Sequence, residues 1–326
     1  MIMKRIALLT SGGDSPGMNA AVRAIVKTCL FYNIVPVGIR DGYKGMVNND
    51  LFVMTYSDVD NIIHTGGTIL GSSRCLEFKE KETRLIAINN LKENQIDGLV
   101  VIGGDGTFTG ATILSSEMGI PVIGIPGTID NDIYGTDHTI GYDTALNTVI
   151  SAVDKIRDTA SSHHRIFFIE VMGRHAGFIA INAAVASGAE SVLIPEEVPD
   201  LNKLVAQIQH QNKGKRSSII IVAEGEQEGG SLELINKVSP MLEGFDLRPT
   251  VLGHIQRGGS PSAFDRILAT RMGSCAVELL LDGQHSVMIG SSGDNLITTS
   301  LETAMKLHST PDLERLVLLK KMLTRH

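Results

Sequence analysis

No tryptophan occurs in these 326 residues, and phenylalanine and tyrosine bring the aromatic share to only 4%. A surface that grips bases or sugars by stacking rings is therefore not indicated. Cysteine is also scarce: Cys29, Cys75 and Cys275 are odd in number and far apart in sequence. Without a CxxC pair there is neither a zinc signature nor a disulfide framework, which fits a reducing cytoplasm. No apolar run approaches the roughly 18 residues of a membrane span. The opening "MIMKRIALLTSGGD" lacks the apolar core of a signal peptide. A basic excess is missing too. The formal net charge of −7 argues against non-specific nucleic-acid binding, which displaces counterions with a basic surface. It leaves room for a local basic pocket that takes a small anion.

Glycine, by contrast, is plentiful at 34 residues, many of them directly after apolar runs. The length suits roughly two domains of about 150 residues. Short β-branched runs such as "RIALLT", "VPVGIR", "GLVVIGG", "PVIGIPG", "RIFFIEVMG", "SVLIPEE", "SSIIIVAEG" and "TVLGHIQ" alternate with helical-period segments such as "AAVRAIVKTCLFY", "TGATILSSEM" and "TALNTVISAVDKIRDTA". Continuous apolar strands alternating with helices predict an α/β fold with parallel sheets covered on both faces. No Pro/Ser linker separates two halves. The long helix expected near 144–160 is where one lobe would hand over to another.

In parallel sheets ligands sit beyond the carboxyl ends of the strands, and the unusual loops fall there. "TSGGDSPGMN" follows the first strand; it is neither a Walker A loop nor GxGxxG, and a plain tight turn would look similar. In "GGDGT", Gly104 and Gly106 leave space around Asp105, whose carboxylate suits Mg²⁺ on polyphosphate oxygens. The competing reading is an aspartate that caps a helix starting at Thr107 or just after. "PGTIDND" puts Asp130 and Asp132 on one face if the segment stays extended. Beside Thr128, one carboxylate is placed to take a hydroxyl proton while the other helps order the metal shell; two solvated turn aspartates are the alternative. "MGRHAG" and "GHIQRGG" each supply an arginine after a strand end, Arg174 and Arg257, and Arg165 and Arg248 stand just upstream of strands. Guanidinium forks match phosphate bidentately. His254 by itself reads as a structural hydrogen-bonder. Together these residues point to phosphoryl transfer from a nucleotide to a phosphorylated hydroxyl compound.

"TSGGDSPGMNA", "GGTILGSSRC", "VIGGDGT", "PGTIDND", "GYDTA", "EVMGRHAG" and "VLGHIQRGGSP", in this order, resemble the bacterial ATP-dependent 6-phosphofructokinases. The resemblance runs from Lys4 to about Leu281 and weakens after it. It implies two similar three-layer α/β lobes with mainly parallel sheets, residues 1–141 plus 256–306 binding ATP and 142–255 plus 307–326 binding the sugar phosphate. By resemblance ATP meets Gly13, Tyr43, Arg74, Cys75 and Gly104, Asp105, Gly106 and Thr107, with Mg²⁺ on Asp105. Asp130 accepts the proton of the sugar 1-hydroxyl, with Thr128 and Asp132 beside it, and Arg174 steadies the phosphoryl group. Met172, Gly173, Glu224, His254 and Arg257 hold fructose 6-phosphate. Arg165 and Arg248 reach in from a neighbouring subunit of a homotetramer. An effector site for ADP or phosphoenolpyruvate would use Arg23, Lys27, Arg157, Lys213 and Lys215, with Glu190 sharing a Mg²⁺. Two of its positions depart from the pattern: Tyr56 stands where well-known members carry arginine, and Ser217 where some carry histidine. Three rivals remain at this point: an NAD or lipid kinase sharing "GGDGT", a pyrophosphate-dependent phosphofructokinase, and a non-catalytic sugar-phosphate sensor.

Overall fold

The computed structural model describes residues 3–163, 165–211 and 217–323. In chain order it forms β1 (Arg5–Thr10), α1 (Met18–Phe31), β2 (Val35–Ile39), α2 (Gly42–Val47), β3 (Leu51–Val53), α3 (Lys81–Glu93), β4 (Gly98–Gly103), α4 (Asp105–Met118), β5 (Val122–Pro126) and α5 (Tyr142–His163). Then follow β6 (Arg165–Val171), α6 (Phe178–Ser187), β7 (Ser191–Leu193), α7 (Leu201–Gln211), β8 (Ser218–Ala223), α8 (Gly230–Val238) and β9 (Asp246–Val251). The chain ends with α9 (Ala263–Leu281), β10 (Val287–Ser292), β11 (Asn295–Ser300), α10 (Leu301–Lys306) and α11 (Glu314–Leu323). It divides into two compact units, residues 1–144 with 257–309 and residues 145–256 with 310–326.

The first unit holds a seven-stranded sheet in the order β11-β10-β5-β4-β1-β2-β3. All its pairings are parallel except β2–β3 and β10–β11. Successive side chains on a strand point to opposite faces, and the core follows that period of two. Ile6, Leu8, Val100 and Ile102 pack with α1 and α9, whereas Ala7, Leu9, Leu99 and Val101 pack with α3 and α4. Because β1, β2, β4 and β5 run parallel, their following loops gather on one edge of the sheet.

The second unit holds a four-stranded, fully parallel sheet in the order β7-β8-β6-β9. Ile166, Phe168, Ile220 and Val222 bury one of its faces with Leu204 and Ile208 of α7 and Leu234 and Val238 of α8.

One expected strand shifts, and three strands were not expected. "TVLGHIQ" is not one strand: β9 ends at Val251 and Gly253–Gln256 coils into a 3-10 turn. The strand begins earlier, in "DLRPTV", where Pro249 is tolerated because β9 is an edge. Unexpected are the short β3 and the β10–β11 hairpin at the two margins of the first unit's sheet, where the edge strands β3 and β11 lack the long continuous apolar run that marks a buried strand.

Candidate active site

In the first unit, four loops at the carboxyl edge interlock. Ser11, just past β1, offers its carbonyl to the Thr107 hydroxyl at 3.1 Å. A Cβ on Gly103 would lie 2.4 Å from that same carbonyl oxygen, so only glycine lets the first two loops approach. α4 starts at Asp105 with Gly104 as its N-cap. Asp105 is therefore a first-turn residue and not the cap of a later helix, which removes the capping alternative. Its carboxylate sits where the helix dipole favours negative charge. Nothing lies within 4 Å of a Cβ built on Gly106, so the backbone there faces open space.

Tyr43 packs against the start of α4. It is only 5% exposed. Its hydroxyl donates to the Thr107 carbonyl at 2.5 Å and its ring stacks on Phe78 at 4.3 Å. Burial raises its pKa. Tyr43 thus braces the start of α4 from behind. Phe78 follows the exposed Arg74 and the half-buried Cys75. Arg84 clamps that strip: it donates to the Phe78 and Lys79 carbonyls at 3.2 and 2.6 Å and forks onto Glu117 at 2.9 and 2.8 Å.

Beyond β5, Thr128 and Asp130 are buried together, Asp130 being 1% exposed. The Thr128 hydroxyl donates to Asp130 Oδ2 at 3.3 Å and accepts the Asp130 backbone N–H at 3.2 Å. The segment does not stay extended. Asn131 has φ 58°, and its side chain accepts the Thr139 N–H at 2.8 Å and donates to the Asp137 carbonyl at 3.1 Å. That left-handed turn breaks the two-residue alternation, so Asp130 is buried while Asp132 is partly exposed. A Cβ on Gly104 would be 3.9 Å from the Thr128 Cβ, so the loops after β4 and β5 leave the sheet side by side. Arg257 joins the same edge: its Nη1 donates to the Asp14 carbonyl at 3.3 Å and lies against Gly13, where a Cβ would be 2.4 Å away.

The second unit gathers the other candidates. Met172, Gly173 and Arg174 follow β6 in a strained turn, with φ 148° at Gly173 and 51° at Arg174. Glu224 holds that turn: its Oε1 accepts the N–H of Arg174 at 2.8 Å and of Gly173 at 3.3 Å. Gln256, fully buried, accepts the Met172 N–H at 3.0 Å. The Arg174 and His254 side chains are exposed. Arg165 and Arg248 prove to be strand residues, at the start of β6 and inside β9. Asp246 links them: its Oδ2 accepts from Arg165 Nε at 2.8 Å and from Arg248 Nη2 at 3.2 Å, and Arg248 Nε lies 2.8 Å from Oδ1. The hydrogen bond from Arg165, then that from Arg248, lowers the Asp246 pKa.

The expected effector residues are divided between the two units. Arg23 and Lys27 lie on α1 in the first unit and line a cavity of about 320 Å³ with Phe31, Tyr32 and Ser274. Lys27 Nζ is 3.8 Å from Asp60 and 5.7 Å from the Tyr56 ring centre. In the second unit Arg157 donates to the Ser187 carbonyl at 2.8 Å, and its Nη1 is 3.8 Å from Glu190. Glu190 is turned inward and accepts the Ile219 N–H at 2.7 Å. Lys213 and Lys215 lie outside the described residues.

Sequence reasoning passed over Asp246, Gln256 and Arg84. For Asp246 a signal was present: in "DLR" the carboxylate and Arg248 stand two apart, on one face of any strand. Gln256 adjoins Arg257 but carries no charge to mark it. Arg84 in an amphipathic helix reads as a solvated cation.

The family model for phosphofructokinase matches residues 5–280. The chain belongs to the phosphofructokinase family. It is 52% identical over 321 residues to the ATP-dependent 6-phosphofructokinase of Bacillus cereus, covering 98% of this chain and 99% of that one. It is 51% identical over 305 residues to the ATP-dependent 6-phosphofructokinase 2 of Bacteroides thetaiotaomicron, covering 93% and 94%. Among solved structures, the Saccharomyces cerevisiae phosphofructokinase superposes with a TM-score of 0.87 at 37% identity. That likeness covers 98% of this chain but 47% of the yeast one, so the chain spans about half the yeast length. A pyrophosphate-dependent phosphofructokinase from Marinobacter aquaeolei, at 24% identity and a TM-score of 0.85, shares the fold. Membership of this family sets aside the NAD and lipid kinases that share only the "GGDGT" loop.

Proposed function

We propose that this chain transfers the terminal phosphoryl group of ATP to the 1-hydroxyl of fructose 6-phosphate, a step of glycolysis. One observation carries the reading: the open backbone of Gly104–Gly106 and the buried Thr128–Asp130 pair follow adjacent parallel strands and leave the sheet together. A donor lying on the first loop therefore has a carboxylate base for its acceptor beside it. The near-full-length identity to ATP-dependent relatives supports the same reading.

A sugar hydroxyl is a weak nucleophile at neutral pH. Asp130 accepts its proton as the bond to phosphorus forms, and Thr128 keeps the carboxylate in one orientation. Arg174 meets the charge that spreads over the moving phosphoryl oxygens. Met172, Gly173, Glu224, His254 and Arg257 meet the sugar phosphate, and Glu224 and Gln256 also fix the 172–174 turn. Among the described residues no cluster of three or more metal-ligating side chains occurs. A single carboxylate, Asp105, fits Mg²⁺, which takes its other oxygens from polyphosphate and water. When bound, Mg²⁺ neutralises charge on the polyphosphate.

Space favours ATP over pyrophosphate as donor. Pyrophosphate-using relatives tend to carry aspartate where Gly106 stands and lysine where Gly127 stands. Gly106 leaves room for a nucleotide α-phosphate, while a Cβ at Gly127 would already press on Ile102 and Met18 at 3.0 and 3.1 Å. In the same reading the protein works in the cytoplasm as a homotetramer, Arg165 and Arg248 completing a neighbour's sugar-phosphate site. Arg23, Lys27, Arg157, Lys213, Lys215 and Glu190 serve a weakened effector site for ADP or phosphoenolpyruvate. Among the described residues no helix is long and apolar enough to cross a membrane.

The deciding experiment is a coupled assay of purified protein with several phosphorylated sugars, comparing ATP with pyrophosphate. ATP-dependent formation of fructose 1,6-bisphosphate is expected. Turnover with pyrophosphate alone overturns the donor, and binding of sugar phosphate without turnover favours the sensor.

A further inference from the structure

Asn19 lies in the first turn of α1 and is 2% exposed. Its carboxamide serves one loop. Nδ2 donates to the Thr65 carbonyl at 3.2 Å, to Thr65 Oγ1 at 3.0 Å and to the Gly66 carbonyl at 3.1 Å. Oδ1 accepts the Ile69 N–H at 2.8 Å. Donors and acceptor on one planar group suit a carboxamide and no other side chain of this size.

The loop so held touches a substrate-facing segment on each side. Toward β1, Thr68 Oγ1 lies 2.8 Å from Thr10 Oγ1, and Thr10 Oγ1 donates to the Gly71 carbonyl at 2.7 Å. Ser72 Oγ donates to the Gly12 carbonyl. Toward α9, Ser260 Oγ donates to the His64 carbonyl at 2.6 Å. A Cβ on Gly66 would lie 2.3 Å from the Gly259 carbonyl oxygen, so the two backbones are in contact. Arg74 and Cys75 follow the loop directly, and Arg257 precedes Gly259 by two residues.

We propose that Asn19 is a positioning residue, setting the nucleotide side (Gly12, Arg74, Cys75) and the phosphate side (Arg257) from one buried anchor. Losing it therefore weakens both substrates together. The nucleotide role of Arg74, Cys75 and of Gly13 next to Gly12 is the one the family resemblance implies, and it rests, with that of Arg257, on the function proposed above.

Asn19→Ala removes the anchor. Asn19→Asp keeps the acceptor for Ile69 but sets carboxylate oxygens against two carbonyls. Steady-state kinetics with each substrate varied should show the KM for ATP and the KM for fructose 6-phosphate both raised about tenfold, since small misplacements of positioning groups are costly. The fall in kcat should be smaller. In the same samples, amide hydrogen exchange of residues 65–72 should quicken about tenfold while β4 keeps its protection. Both KM values within twofold of the unaltered protein overturn the proposal, as does a rise for one substrate only. If Asn19→Ala does not fold, Asn19→Asp is judged by the same criteria. If neither folds, the surface variant Ser260→Ala decides: it should raise both KM values about threefold, and no change overturns the coupling. If the unaltered protein does not phosphorylate fructose 6-phosphate with ATP, the functional reading fails; unchanged exchange over 65–72 in the variants sinks the anchor separately.

Discussion

Arg165 and Arg248 point their Nε edges at one carboxylate, that of Asp246, each at 2.8 Å. Arg248 Nη2 also donates to Asp246 Oδ2 at 3.2 Å, so one carboxylate orients both guanidinium groups. An arginine fork binds phosphate best when it is already oriented, because less side-chain freedom is lost on binding.

The first prediction follows. Asp246→Asn should raise the KM for fructose 6-phosphate about three- to tenfold while the KM for ATP moves little. Unchanged kinetics for both substrates would mean that the pair is only a surface ion network.

Asp130→Asn should lower kcat by about 10²–10⁴-fold, roughly 3–5 kcal/mol of transition-state stabilisation. Sugar-phosphate binding should change much less, because in the proposed function arginines hold the phosphate. Titration calorimetry with fructose 6-phosphate separates the two effects. Near-normal turnover would falsify the general-base role.

Donor choice is tested by two glycines with opposite surroundings. A Cβ on Gly106 meets no atom within 4 Å, so Gly106→Asp should fold normally, yet its KM for ATP should rise about tenfold or more through repulsion of the α-phosphate. Gly127→Lys presses on Ile102 and Met18 and should lose roughly 1–3 kcal/mol of stability as an overpacked core does. Thermal melts beside ATP kinetics check both. A Gly106→Asp variant with unchanged ATP kinetics would remove the argument for a nucleotide at that loop.

Asp265 gives a pH prediction. It is fully buried near the start of α9 and accepts the N–H groups of Gly141 and Thr144, at 2.9 and 2.8 Å, and the Thr144 hydroxyl at 2.5 Å. Burial outweighs these bonds and pushes its pKa up to about 6. Between the unfolded value near 4 and that folded value, the native state holds the extra proton, so this group's contribution to stability falls as pH rises. The full change is on the order of 3 kcal/mol. Asp265→Asn lacks that titration. The stability gap between unaltered protein and variant should therefore narrow from about pH 4 to about pH 6 in urea melts. A gap that widens over that window would reverse the sign and discard the assignment.

The carboxyl-edge loops were legible in the sequence because each breaks a continuous apolar strand with glycine and a charged or hydroxyl side chain, a pattern that a simple turn does not require. The strands at the sheet margins were not, because β9 and β11 are partly exposed and carry mixed side chains. Within the candidate site, the glycine-rich loops around Asp105 and Asp130 drew attention to both carboxylates in the sequence. What the sequence did not show is that the Tyr43 ring stacks on Phe78 and its hydroxyl donates to the Thr107 carbonyl, contacts set by packing between distant segments. Asp246 and Asn19 escaped for the same reason. Their importance comes from what the fold brings to them.

The last prediction concerns regulation. In the first unit the Lys27 ammonium already faces Asp60 and the Tyr56 ring, and Tyr56 is 53% exposed where relatives offer an arginine. A tyrosine ring attracts the lysine but gives an incoming phosphate no fork. Losing one bidentate phosphate contact removes about 1.5–3 kcal/mol, the scale of a charge-assisted hydrogen bond. A typical allosteric coupling is no larger. ADP or phosphoenolpyruvate should therefore shift the fructose 6-phosphate saturation curve only slightly at millimolar concentration. Tyr56→Arg should enlarge the shift, because the new guanidinium both binds the anion and frees Lys27 from the ring. Saturation curves with and without effector, for both proteins, make the comparison. A strong sigmoidal shift in the unaltered protein, abolished by Arg23→Ala, would show that the site works fully with tyrosine in place.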